Sequence, residues 1–182
     1  MQERGDRKEN TNQPESILTP EQVEEILEKA RTNLERHGHL VSTLFLHLTS
    51  GEKVLTELSL PCIHEEKQAY FTFLGKAIRY SGYEIREAIL LSESWVVMAP
   101  QAEGLGVSPS QHPNRQEAIT LVGRNAPNNR SIFAIQTFHR DHRNQPVFEA
   151  LELEQFTGLP DSKYCATGLL DYLFPAEKRI LH

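Results

Sequence analysis

The sequence predicts an α+β fold: a mainly antiparallel sheet of about five to six strands with helices on one face, in the order α-β-β-α-β-β-β-(β)-α. Three observations carry this. Two apolar stripes at helical spacing lie near residues 19–37 and 65–81. Between them, two alternating runs flank a short turn that contains Gly51. Further strand-like runs then follow one another through short links. Short links join antiparallel strands, whereas parallel strands need a long crossover.

Residues 1–15 (MQERGDRKENTNQPE) contain almost no apolar side chain. Such a segment buries too little surface to offset the entropy of ordering, so a disordered N-terminal tail is expected, followed by a single domain over 16–182. The first helix starts at Thr19, which caps it. Pro20 suits the first helical position, and Gln22 completes a capping box. Val23, Ile26, Leu27, Ala30 and Leu34 recur at helical spacing, and Gly38 supplies a left-handed stop. Residues 40–48 alternate, with Leu40, Leu44, Leu46 and Leu48 on one face and Val41, Thr43, Phe45 and His47 on the other. Residues 53–60 set Val54, Thr56, Leu58 and Leu60 on one face, and the pair reads as a β-hairpin.

A second helix over 65–81 carries Tyr70, Phe73, Leu74, Ala77 and Ile78 as its apolar stripe, and Gly82 ends it. Residues 84–98 (EIREAILLSESWVVM) read as a strand from their β-branched and aromatic side chains. A Pro/Gly/Ser-rich loop occupies 99–114. Strands are expected at 117–123 and 131–139, joined by Asn125-Ala126-Pro127-Asn128-Asn129, and another at 147–153. A last helix is expected from Asp161 to Leu173, weakened by its interior Gly168. The element order is similar to that of small sensor and scaffold folds such as the profilin-like and longin-like groups, a likeness that carries no activity.

Composition narrows the function classes. A net charge of −6 argues against nucleic acid as a partner, because that binding runs on Lys and Arg neutralising phosphates. No apolar run approaches the roughly 20 residues that span a bilayer, so no membrane role is expected. Cys62 and Cys165 are too few and too far apart for a disulfide framework or a metal clip. They read as buried, reduced thiols of a cytoplasmic protein.

The chemistry concentrates in the middle of the chain. On a strand, Glu93 shares a face with Ile89, Leu91, Trp95 and Val97, where a carboxylate is costly unless paired or protonated. Arg115 is the nearest obvious cation, and a Glu93–Arg115 pair is expected to anchor the loop or tune the acid. Ser110, His112 and Glu117 flank it and complete the candidate cleft with Glu93, Trp95 and Arg115. The pattern E-x-W at Glu93 and Trp95, then P-S-x-x-P-x-R-x-E at Pro109, Ser110, Pro113, Arg115 and Glu117, resembles an uncharacterised bacterial domain family. That resemblance implies no activity, cofactor or substrate; it marks the segment.

Other motifs carry less. His37-Gly38-His39 falls at a helix stop, where histidine suits the last carbonyls. His139 and His142 lie three apart, but on a strand end and turn rather than on a helix. No HExxH, GxSxG, GxGxxG or GxxxxGK[ST] occurs, so no metal and no cofactor is expected. Arg124, Arg130, Arg140, His142 and Arg143 would gather as a basic patch at hairpin ends, solvated or facing an anion or RNA. The first functional reading is a non-catalytic binding or interaction module with a protein partner or small molecule. A homodimer would cover surplus apolar sheet surface. The alternative is a small hydrolase-like or ligand-sensing protein, with catalysis left open, built on Glu93, His112, Arg115 and Glu117.

Overall fold

The computed structural model describes residues 17–98, 109–125, 127–157 and 165–175. The first helix, α1, spans Pro20–His37. Its start is the expected capping box: Gln22 donates its N–H to the Thr19 hydroxyl at 3.3 Å, and Thr19 donates its N–H to the Gln22 side chain at 2.9 Å. Gly38 ends it in the left-handed conformation (φ 73°), donating to the Leu34 carbonyl. The hairpin of β1 (Ser42–Leu48) and β2 (Lys53–Leu58) follows, then α2 (His64–Tyr80). The chain continues through β3 (Ile85–Val96), a 3-10 turn (Pro109–Gln111), β4 (Gln116–Asn125), β5 (Arg130–Arg140), β6 (Pro146–Thr157) and a short α3 (Cys165–Asp171). The proposed tail, the middle of the 99–114 loop and the expected start of the last helix at Asp161 lie outside the described residues.

The six strands form one sheet in the order β2-β1-β3-β4-β5-β6, with every neighbouring pair antiparallel. Helix α2 carries the chain from the edge strand β2 to the far side of β1. The fold is α+β, as expected from the sequence. The placement of the helices is not. They cover both faces of the sheet rather than one. Val23, Leu27, Ala30 and Leu34 of α1 pack on Ile89, Leu91, Ile119, Leu121, Ile132 and Ala134. On the opposite face, Phe71 of α2 and Leu169, Leu170, Leu173 and Phe174 of and after α3 pack on Leu44, Leu46, Leu90, Val122, Phe133 and Ile135. The reason is in the central strands. Runs such as Ile89-Leu90-Leu91 and Ile132-Phe133-Ala134-Ile135 have no polar face, so both sides need cover.

Two local expectations are also corrected. Phe73, assigned to the apolar stripe of α2, is exposed, while Phe71 is fully buried. The buried stripe runs through Phe71 and Gly75, because α2 is approached there by the backbone of Leu173. Cys62 is an exposed free thiol, not a buried one. Among the described residues no helix is long and apolar enough to cross a membrane.

Candidate functional site

The register of the central strands decides what meets what. Trp95, Glu117 and Phe138 lie side by side across β3, β4 and β5, and Glu93, Ile119 and Gln136 form the next row. These side chains lie on the α1 face, at the end of the sheet where α1 stops. The chain leaving α1 passes directly over Glu93, and Leu40 donates its N–H to Glu93 Oε2 at 2.9 Å.

Arg140, at the end of β5, completes the cluster. Its guanidinium rests over the Phe138 ring, 5.5 Å from the ring centre. It donates to Glu117 Oε1 at 3.2 Å, to Glu93 Oε1 at 3.4 Å and to the Gly38 carbonyl at 3.2 Å. One cation therefore joins two carboxylates to the C-terminal end of α1, where backbone carbonyls carry partial negative charge. All three side chains are mostly buried, so the pairing offsets a real desolvation cost.

The expected Glu93–Arg115 pair does not form. Val96 is the last residue of β3 and pairs with Gln116, which leaves Arg115 beyond the strand end and out of line with Glu93. Arg115 instead lies over the indole of Trp95, 4.8 Å from the ring centre, and donates to the Ser110 carbonyl at 2.8 Å. Cation and ring attract through the ring quadrupole. Ser110 sits on the 3-10 turn and serves as that carbonyl anchor. His112 stays within its own turn, where Nδ1 accepts the Asn114 N–H at 3.1 Å. Of the six residues singled out from sequence, Glu93, Trp95 and Glu117 line one cleft, Arg115 borders it through Trp95, and Ser110 and His112 belong to the turn.

The cleft is open, about 250 Å³, and lined by Glu93, Ser94, Trp95 and Glu117. Behind it, on the opposite sheet face, the hydroxyls of Ser92, Ser94 and Thr120 form a closed set at 3.0–3.2 Å. Those three hydroxyls bond one another, and among the described residues no base joins them to make a nucleophile.

The basic patch expected at the hairpin ends does not assemble as drawn. Arg124 is buried, bound to Asp171 Oδ1 of α3 at 3.0 Å and to Asn129 Oδ1 at 3.0 Å. Arg140 belongs to the acid pair. Asp141 organises the following turn, accepting the N–H groups of Arg143 and Gln145. Among the described residues no three His, Cys, Asp or Glu side chains gather as a metal site.

Two participants escaped sequence reasoning. Arg140 is distant in sequence from both acids, and only the β4–β5 register brings it back. Glu87 carries a signal in the sequence: it shares the strand face of Ile89, Leu91 and Glu93, where a carboxylate is as costly as at Glu93. Glu87 is buried, and its Oε1 has no hydrogen-bond partner. Burial pushes its pKa up, against smaller opposing effects from Arg86, the Asn125 side chain and Lys53. His47 stands 3.9 Å away, yet burial, then Lys53 and Arg86, push its pKa down. Burial thus works against the charged form of each, and the 3.9 Å contact between them is long.

No protein-family model, no curated protein and no solved structure matches this chain.

Proposed function

We propose that the chain is a non-catalytic binding module that receives a basic side chain of a protein partner in the cleft beside Trp95. The observation that carries this reading is the commitment of both acids to Arg140. An acid or base in catalysis must be free to move a proton at the reacting atom. Glu93 and Glu117 are instead held by a guanidinium, and Glu93 by the Leu40 N–H as well. The hydrolase-like alternative needs His112 in the same pocket, and His112 is engaged with Asn114.

The size of the cleft favours a side chain over a free ligand. Its volume of about 250 Å³ falls short of the roughly 300–1,000 Å³ of ordinary ligand pockets. Its lining suits a cation: two carboxylates that share one guanidinium, and an indole. Arg115 on Trp95 displays the mode of contact from within the chain. A homodimer belongs to the same reading.

Trp95 is the one tryptophan of the chain, so fluorescence excited selectively at tryptophan, beyond the absorption of the five tyrosines, reports on this cleft. Titration with a Lys/Arg-rich peptide is expected to give a saturable change, and an acidic peptide none. Glu117→Gln should weaken the basic peptide about tenfold or more, the worth of a hydrogen bond to a charged group. A flat titration with both peptides would sink the proposal.

A further inference from the structure

We propose that β2 is the edge through which the chain pairs with a second copy of itself, in an antiparallel register centred on Leu55. This rests on the homodimer reading above and gives it a surface. The sheet has two edges, β2 and β6. Strand β6 is guarded. It begins at Pro146, carries Glu149, Glu152 and Glu154, and its register against β5 shifts between Gln136 and Phe138. Proline and bulges stop an edge from pairing, and so do charges of one sign, whereas the two charges of β2, Lys53 and Glu57, are opposite and can complement one another across a two-fold axis. Strand β2 has no proline, keeps an unbroken register with β1, and leaves Val54 and Leu55 41% and 63% exposed.

The hydrogen-bonding phase of the hairpin selects the partner's register. Leu48 donates its N–H to the Glu52 carbonyl at 2.9 Å. Alternation from that pair turns the backbone groups of Val54, Thr56 and Leu58 toward β1, and those of Lys53, Leu55 and Glu57 outward. A second β2 strand hydrogen-bonds only to the outward set, so Lys53, Leu55 and Glu57 meet their own kind. With the two-fold axis at Leu55, Lys53 faces the partner's Glu57, and Glu57 faces the partner's Lys53. Leu55 meets the partner's Leu55 between them. Sliding the register by two residues in either direction removes both charge pairs and sets a charge opposite Leu55. The centred register therefore combines every outward backbone group with opposite charges at both ends and an apolar contact in the middle. Cross-strand pairs of these kinds stabilise a sheet, and like charges directly opposite destabilise it. The product is one continuous sheet running through both copies.

Sedimentation of the full chain over a concentration series measures the association. The wild type is expected to form a reversible dimer that weakens as salt rises. K53E and E57K each set like charges opposite one another twice, and each should weaken self-association about tenfold. An equimolar mixture of K53E and E57K should re-form the dimer, because their altered strands complement one another. The double variant K53E/E57K should recover self-association, with an unchanged circular dichroism spectrum throughout. A wild type that stays monomeric across the series removes the homodimer reading and this edge with it. A dimer indifferent to both single changes leaves the homodimer standing and overturns the edge.

Discussion

Glu87 is the side chain most at odds with its surroundings. It is buried on the α1 face with one oxygen unpartnered, and burial raises its pKa. A carboxyl with a higher pKa in the folded chain binds more protons folded than unfolded. Its contribution to stability is therefore full in acid and is lost as pH rises from about pH 4 through the raised value. His47 runs the other way. Its lowered pKa gives a contribution that is full above about pH 6.5 and is lost as pH falls. Glu87→Gln removes the first slope and keeps the second. Denaturant titrations should show the variant gaining on the wild type as pH rises from about pH 4. A difference that does not change with pH would mean that Glu87 ionises like a surface carboxylate. At this scale, sequence reading reached Glu93 by alternation but missed Glu87, which the same alternation marks. It also chose Arg115 as partner by nearness in sequence, while the register chose Arg140.

At the scale of elements, the α2–α3 contact is the most tightly specified. Gly75 has no Cβ, and one built there would run into the Leu173 carbonyl oxygen, which is backbone and has little room to yield. Arg79 of α2 reinforces the approach by donating to the same carbonyl at 2.7 Å. Alanine is the better helix former by up to about 1 kcal/mol, so propensity alone favours Gly75→Ala. The clash should win instead. Gly75→Ala is expected to destabilise by about 1–3 kcal/mol, the range for overpacking, as read by chemical denaturation. A stabilised variant would show that the two helices separate readily. Tyr70, Leu74 and Ile78 of the expected α2 stripe pack on the core, whereas Phe73 does not and Gly75 takes its place in the buried face. A glycine carries no apolar signal, so the part of Gly75 in the buried face leaves no mark in the sequence. The caps of α1, by contrast, are local hydrogen bonds within four residues, and they were legible.

The whole molecule is three layers with two separate cores. Leu27 of α1 and Leu170 of α3 are both fully buried, on opposite sides of the sheet. Leu27→Ala and Leu170→Ala should each cost about 2–5 kcal/mol. With no shared neighbours, the double variant should cost the sum to within about 0.5 kcal/mol. A strongly non-additive result would mean that the sheet transmits repacking from one core to the other. The buried Arg124–Asp171 pair, at 3.0 Å, ties α3 to β4 on one face as the Arg140 cluster ties the end of α1 to β3 and β4 on the other.

By itself the sequence determined the kind and order of the elements, the capped ends of α1, the hairpin and the antiparallel chain of later strands. Those follow from periodicity, caps and turn residues, which act between near neighbours along the chain. It also pointed to the segment around Glu93, because a charge among alternating apolar residues is visible locally. Only the tertiary structure decided that helices cover both faces, that Arg140 rather than Arg115 holds Glu93, and that Arg124 is buried against Asp171. Each of these is a choice of partner between residues far apart in sequence. Strand register, helix placement and close approach make that choice, and none of them leaves a mark in the spacing of residues within one element.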